Sequence, residues 1–112
     1  MAIVEQKIGI VGGTGKMGKW FAQLFIKAGY EVLVAGRKTS LTSVEIARQC
    51  DVVIISVPIE KTVEIIKDIG PLIPEHGVMM DLTSIKTEPV SAMLEYSRAE
   101  VVGIHPLSAL VT

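Results

Sequence analysis

The sequence predicts an α/β domain: a doubly wound parallel sheet of five strands with helices on both faces. Two observations carry the prediction. Short segments such as Val52-Val53-Ile54-Ile55 are apolar at consecutive positions, which a strand tolerates where both of its faces are covered. These segments alternate with stretches whose apolar residues recur every three to four positions, the spacing of one helix face. That alternation is expected of a sheet wound with crossover helices. A third observation agrees. Residues able to do chemistry gather where the apolar segments end, and open sheets of this kind bind ligands at the carboxyl ends of their strands.

Each element has its own signals. Lys7-Ile8-Gly9-Ile10-Val11 reads as a buried strand running into glycines. Met17, Trp20, Phe21, Leu24, Phe25 and Ala28 then mark one apolar helix face, which places Trp20 in the core, and Gly29 closes that helix. Glu31-Val32-Leu33-Val34-Ala35 is the second strand. Thr42-Ser43-Val44-Glu45 has capping-box spacing and opens a short helix to about Arg48. The third strand is Asp51–Ser56. Pro58 opens the next helix, with Val63, Ile66 and Ile69 on one face and Gly70-Pro71 as its stop. Val78–Leu82 is the fourth strand, Thr87-Glu88-Pro89 starts a helix to about Tyr96, and Val101–Ile104 is the fifth strand.

Length and composition set bounds. A chain of 112 residues, 49% hydrophobic and 21% charged, is one domain with a core but small for a complete enzyme. A formal net charge of −1 gives no reason to expect nucleic acid or a membrane surface as partner. The apolar runs are strand-sized, short of the roughly 20 residues of a membrane span. Glu5 interrupts any signal-peptide pattern, and the expected location is the cytoplasm. Cys50, the single cysteine, reads as a small buried hydrophobe. Met79, Met80 and Met93 read as packing, and His76 as a turn residue at the start of the fourth strand. No metal site is expected.

The stretch VGGTGKMGKW, residues 11–20, fits two phosphate-binding patterns. Gly13-Thr14-Gly15-Lys16-Met17-Gly18 is G-x-G-x-x-G, the dinucleotide pattern. Gly13 through Gly18-Lys19 fits most of the mononucleotide loop, which requires a Ser or Thr hydroxyl on magnesium directly after its lysine. Trp20 stands there instead and has no oxygen to offer. The dinucleotide reading has its context of strand before and helix after: Gly13 for the tight turn, Gly15 for approach to the pyrophosphate, Gly18 for helix–strand packing. The exit of the third strand, Ser56-Val57-Pro58, borders the same crevice. A site for NAD usually carries a carboxylate about 20 residues on, at the exit of the second strand. Here that exit reads Gly36-Arg37-Lys38, without a carboxylate and with two cations, which favours NADP over NAD.

Two further exits read Asp81-Leu82-Thr83-Ser84-Ile85-Lys86 and Gly103-Ile104-His105-Pro106-Leu107. A histidine beside a nicotinamide can accept a proton from a substrate hydroxyl as hydride leaves the same carbon, and its ordinary pKa near 6.5 suits that role. With the stretches IGIVGGTGKMGKWFAQLFIKAGYEV, DVVIISVPIEKTVEII, MMDLTSIKTEPVSAML and VVGIHPL, the chain resembles the dinucleotide-binding (Rossmann) domain of the prephenate dehydrogenase family across most of residues 7–107. The pair D-x-x-S-x-K and G-x-H-P is the specific part. The resemblance implies oxidative decarboxylation of prephenate to 4-hydroxyphenylpyruvate and CO₂, the step toward tyrosine. It implies His105 as the catalytic histidine on the ring hydroxyl and Ser84 as the serine assisting there.

The family also has a sixth strand and a helical C-terminal domain that forms its dimer and contributes substrate contacts. The chain instead reads Ser108-Ala109-Leu110-Val111-Thr112 after His-Pro-Leu. The expectation is a cofactor domain that binds dinucleotide with little or no turnover alone, and that self-associates, as a homodimer, through apolar surface near the fifth strand. Two other readings stay open at this point. A deazaflavin-dependent NADP oxidoreductase shares the Gly-Gly-Thr-Gly loop and an arginine like Arg37, and a stand-alone dinucleotide-binding or regulatory module needs no chemistry at Ser84 or His105.

Overall fold

The computed structural model describes residues 7–12, 15–36, 40–82 and 87–103. In chain order these form β1 (Lys7–Val11), α1 (Lys16–Lys27), β2 (Glu31–Ala35), α2 (Ser43–Gln49), β3 (Val52–Ile55), α3 (Ile59–Ile69) with a 3-10 turn at Gly70–Leu72, β4 (Val78–Asp81), α4 (Thr87–Tyr96) and β5 (Glu100–Gly103). All five strands are parallel, in the order β2-β1-β3-β4-β5. The expected fold is the observed one. Strand ends differ slightly: β3 is flanked rather than extended by Asp51 and Ser56, and β5 starts one residue earlier than its apolar run suggests.

The order of strands decides which face each helix covers. The chain steps from β1 to β2 in one direction, then returns past β1 to β3 and keeps that direction to β4 and β5. Crossovers between parallel strands are right-handed, so reversing the step reverses the face. Two apolar layers result. Phe21 and Ala22 of α1 pack with Ile8, Ile10, Ile54 and Leu82. Ile46 and Ala47 of α2, Ile66 and Ile69 of α3, and Ala92 and Met93 of α4 pack with Val11, Val53, Ile55 and Met79. The alternation of Ile8 and Ile10 against Val11 within β1 is the period of a strand. Gly9 sits under α2, where a Cβ would run into Ile46 and come within 2.8 Å of the Cys50 sulfur.

Helix ends follow from local chemistry. At the end of α1, Gly29 takes φ +97°. Its N–H donates to the Ile26 carbonyl at 3.0 Å and that of Tyr30 to the Phe25 carbonyl at 3.1 Å. The Phe25 and Tyr30 rings meet edge to face across this turn, 6.1 Å between centroids. Backbone and apolar contact together form a Schellman stop. At the start of α2, the Thr42 hydroxyl accepts from Glu45 N at 3.2 Å and the Glu45 carboxylate accepts from Thr42 N at 2.9 Å, the expected capping box.

Trp20 is a correction. Its side chain is not core: it is 40% exposed, as Leu24 is 46% exposed. The inward arc of α1 is Gly18, Phe21 and Ala22, with Met17 and Phe25 half-buried beside it. Trp20 lies about 100° around the helix from Phe21 and rests its edge on that ring, 4.8 Å between centroids. The periodicity counted a stripe wider than one sheet face can bury. Among the described residues no second helix lies on that face to cover the remainder.

Candidate functional site

The carboxyl ends of β1, β2 and β3 are drawn together by one residue. Gly12 follows β1 with φ +87°, its N–H donating to the Ala35 carbonyl at the end of β2 at 2.7 Å. On its other side Ser56 N donates to the Val11 carbonyl at 2.8 Å. A Cβ on Gly12 would collide with the Ser56 carbonyl oxygen and lie 2.9 Å from a Val57 methyl. Glycine is therefore required twice, for its backbone angle and for the approach of β3. The helices leaving β1 and arriving at β3 depart to opposite faces here, so a crevice opens at the point where the strand order reverses.

That crevice is a cavity of about 650 Å³. Its floor is the strand ends Val11, Gly12, Ala35 and Ser56. One wall is Gly36 with Leu41, Thr42 and Ser43 leading into α2, and the other is Val57, Pro58, Lys61 and Ile65 of the β3 exit and α3. Gly15 stands at the start of α1. Leu41 on one wall and Val57 and Ile65 on the other give an apolar slot. Lys61 is the one charged side chain among the described lining residues, and no carboxylate is among them.

Among the described residues no side chain caps the start of α1. Gly15 caps it in an extended conformation, with no side-chain hydrogen bond and no acidic residue in the first turn. Lys19 N is the first to find an intrahelical acceptor, the Gly15 carbonyl at 2.9 Å. The N–H groups of Lys16, Met17 and Gly18 precede it and have no acceptor among the described residues, the condition that makes a helix start attract phosphate. Among the described residues a Cβ on Gly15 would meet nothing closer than the Gly12 carbonyl oxygen at 3.7 Å, and Gly15 lines the cavity.

A search of known proteins gives the context. The family described as "Prephenate dehydrogenase, nucleotide-binding domain" matches residues 27–109. This chain belongs to that family. The "T-protein" of Haemophilus influenzae is 42% identical over 101 residues, covering 90% of this chain and 27% of its own length. A "Probable arogenate/prephenate dehydrogenase" of Methanocaldococcus jannaschii is 35% identical over 116 residues, covering 89% and 26%. The chain thus spans about a quarter of the length of these relatives. In structure it is similar to prephenate dehydrogenase from A. aeolicus in complex with hydroxyphenyl propionate and NAD+, with a TM-score of 0.75 at 21% identity, over 96% of this chain and 44% of that one. At that identity the likeness is one of fold. The family match starts after the glycine loop, whose reading rests on the geometry above.

For a member of the prephenate dehydrogenase family, the expected site residues fall in three groups. Gly15, Gly36, Ser56, Val57 and Pro58 all line the cavity. Lys16 is exposed, Met17 turns its side chain into the α1 layer, and Gly18 is buried, so the latter two can serve a ligand through backbone N–H. Gly13, Thr14, Arg37, Lys38, Ser84 and His105 lie outside the described residues. The strands that lead to Ser84 and His105 are neighbours: Asp81 of β4 pairs with Gly103 of β5, so both loops leave one end of the sheet. Asp81 itself is fully buried and is not among the described lining residues of the cavity.

Leu41, Thr42, Ser43, Lys61 and Ile65 line the cavity and were not singled out by motif. Spacing groups them only within each helix. Pro58, Lys61 and Ile65 fall on one face of a helix that begins at a strand exit, and Thr42 and Ser43 open the helix after the preceding one. At the opposite end of the sheet the residues are structural. The Asp51 carboxylate accepts from Lys7 N at 3.0 Å and lies 3.4 Å from the exposed His76 ring. Burial pushes the Cys50 thiol up to about 11. Among the described residues no group of potential ligands could hold a metal ion, and no helix is long and apolar enough to cross a membrane.

Proposed function

We propose that this chain is the cofactor-holding domain of a dehydrogenase that converts prephenate to 4-hydroxyphenylpyruvate and CO₂. The observation that carries it is the crevice at the strand-order reversal, where the uncapped start of α1 faces an apolar slot in a chain of this family. The pyrophosphate of a dinucleotide fits the Lys16–Gly18 N–H groups. Its adenine fits between Leu41 and the Val57–Ile65 wall, and its nicotinamide end is directed toward the exits of β4 and β5.

Held by the start of α1, a nicotinamide dinucleotide would supply the hydride acceptor for the ring carbon that bears the substrate hydroxyl. His105 accepts the hydrogen bond of that hydroxyl and takes its proton as the hydride departs. The ring carboxylate leaves as CO₂, its bonding electrons complete the aromatic ring, and the phenolic oxygen recovers the proton. Ser84 holds the same hydroxyl in line. Loss of CO₂ drives the step, so the task of the protein is positioning.

The cofactor is NADP rather than NAD, because the β2 exit carries Arg37 and Lys38 and the described lining offers no carboxylate to a ribose hydroxyl. The domain works in the cytoplasm. It self-associates as a homodimer through apolar surface near β5, an edge strand of the described sheet. Thermal unfolding with NADP+, NAD+ and prephenate tests this. NADP+ raises the midpoint more than NAD+, and the 112-residue chain turns prephenate over slowly or not at all. Stabilisation by NAD+ alone refutes the cofactor assignment, robust turnover refutes the dependence on further chain, and a monomer by light scattering refutes the dimer.

A further inference from the structure

Among the hydrogen-bond donors that line the cavity outside the glycine-loop motif are Ser43 and Lys61. Ser43 opens α2 on one wall and Lys61 lies in the first turn of α3 on the other. We propose that Ser43 and Lys61 together bind the phosphate on the 2′ position of the adenosine ribose and so set the preference for a 2′-phosphorylated dinucleotide. The inference rests on the dinucleotide reading of the cavity and names residues beyond it.

Both side chains are uncommitted. Among the described residues Lys61 forms no ion pair, although its helix carries Glu60 and Glu64, and the Ser43 hydroxyl makes no hydrogen bond. The neighbouring Thr42 hydroxyl, by contrast, is engaged by Glu45 through the capping box. The apolar slot of Leu41, Val57 and Ile65 leaves the base its place, and the ribose then falls beside Gly36, between the two donors. No described lining residue offers an acceptor carboxylate to an unmodified 2′-hydroxyl. A doubly charged phosphate supplies acceptor oxygens to an ammonium and a hydroxyl at once, and a bonded pair of opposite charge is the stronger kind.

The test uses calorimetric titration of the 112-residue chain with NADP+, NAD+, 2′,5′-ADP and 5′-AMP. Lys61→Met keeps the stem of the side chain and removes its charge, Lys61→Arg restores the charge, and Ser43→Ala removes the hydroxyl. Lys61→Met weakens 2′,5′-ADP about tenfold, the size of one charged hydrogen bond, and 5′-AMP less than about twofold. Ser43→Ala weakens 2′,5′-ADP about threefold, Lys61→Arg recovers most of the loss, and raised salt narrows the difference. Equal weakening of 2′,5′-ADP and 5′-AMP by Lys61→Met, or none of either, overturns the proposal while leaving the dinucleotide reading intact. Failure of the unmodified chain to bind NADP+ or NAD+ removes that reading, and this proposal with it. Unfolding curves of each variant matching the parent keep the comparison one of binding.

Discussion

Replacing Gly12 and Gly15 separately by alanine distinguishes a glycine that the fold needs from one that the ligand needs. At Gly12 the backbone sits at φ +87°, where an L-residue is worse off by about 1–2 kcal/mol. The added methyl also collides with the Ser56 carbonyl oxygen, with the carbonyl carbon at 2.7 Å and a Val57 methyl at 2.9 Å. The obstacle is backbone, held by the Ser56 N–H to Val11 bond, so relief requires moving the β3 exit. Overpacking of this kind costs about 1–3 kcal/mol more. Gly12→Ala is therefore expected to lose about 3 kcal/mol, a drop in midpoint of more than about 10 °C for a domain of this size.

Gly15 differs in both respects. Its φ of −78° and ψ of 173° suit alanine, and the nearest atom to a Cβ among the described residues is at 3.7 Å. Gly15→Ala is expected to lose at most about 1 kcal/mol, the cost of a poorer helix cap. Its methyl nevertheless stands where a pyrophosphate must approach, so NADP+ binding falls more than about tenfold, the 1.4 kcal/mol or more expected of one misplaced contact. Urea unfolding and calorimetric titration of the two variants read both quantities. The reasoning is refuted if Gly12→Ala unfolds within about 1 kcal/mol of the parent, or if Gly15→Ala binds NADP+ as the parent does.

Three other outcomes follow from the packing and the ionisation. Trp20→Lys costs less than about 1.5 kcal/mol and Phe21→Ala about 3–5 kcal/mol in urea unfolding, because Phe21 is 6% exposed and Trp20 is 40% exposed. Thr42→Ala removes the hydroxyl half of the capping box and keeps the backbone N–H that donates to Glu45, and costs about 0.5–2 kcal/mol, measured the same way. The Cys50 thiol, raised from 9.0 to about 11 by burial, ionises more readily in the unfolded chain. Its contribution to stability is complete below pH 9 and is lost as pH rises toward 11, and Cys50→Ala flattens that stretch of the pH–stability curve.

Much of the fold could be read from the chain because its strands are buried on both faces. Val52–Ile55 needs no partner to announce itself, and Thr42 with Glu45 states a helix start in four residues. Strand order is less local, and no one segment records it. Trp20 misled because helical periodicity reports which residues could be buried together, not how many helices share the face that would bury them. At the site, the glycine pattern located α1 and its phosphate-facing start. The cavity walls were harder to see: Leu41, Ser43, Lys61 and Ile65 lie on two helices and become neighbours only when β1 and β3 pair. No motif of fixed spacing can record that.

The return of the chain past β1 has a consequence for when the site exists. The glycine pattern lies wholly within the first strand–helix–strand unit, residues 7–35, and in sequence it looks self-sufficient. Yet Gly12 packs on Ser56, and one wall of the crevice is Val57 through Ile65. A nascent chain that has completed only β2 therefore possesses the motif without the receptor. The crevice is complete only where β3 is paired with β1 and α3 follows it.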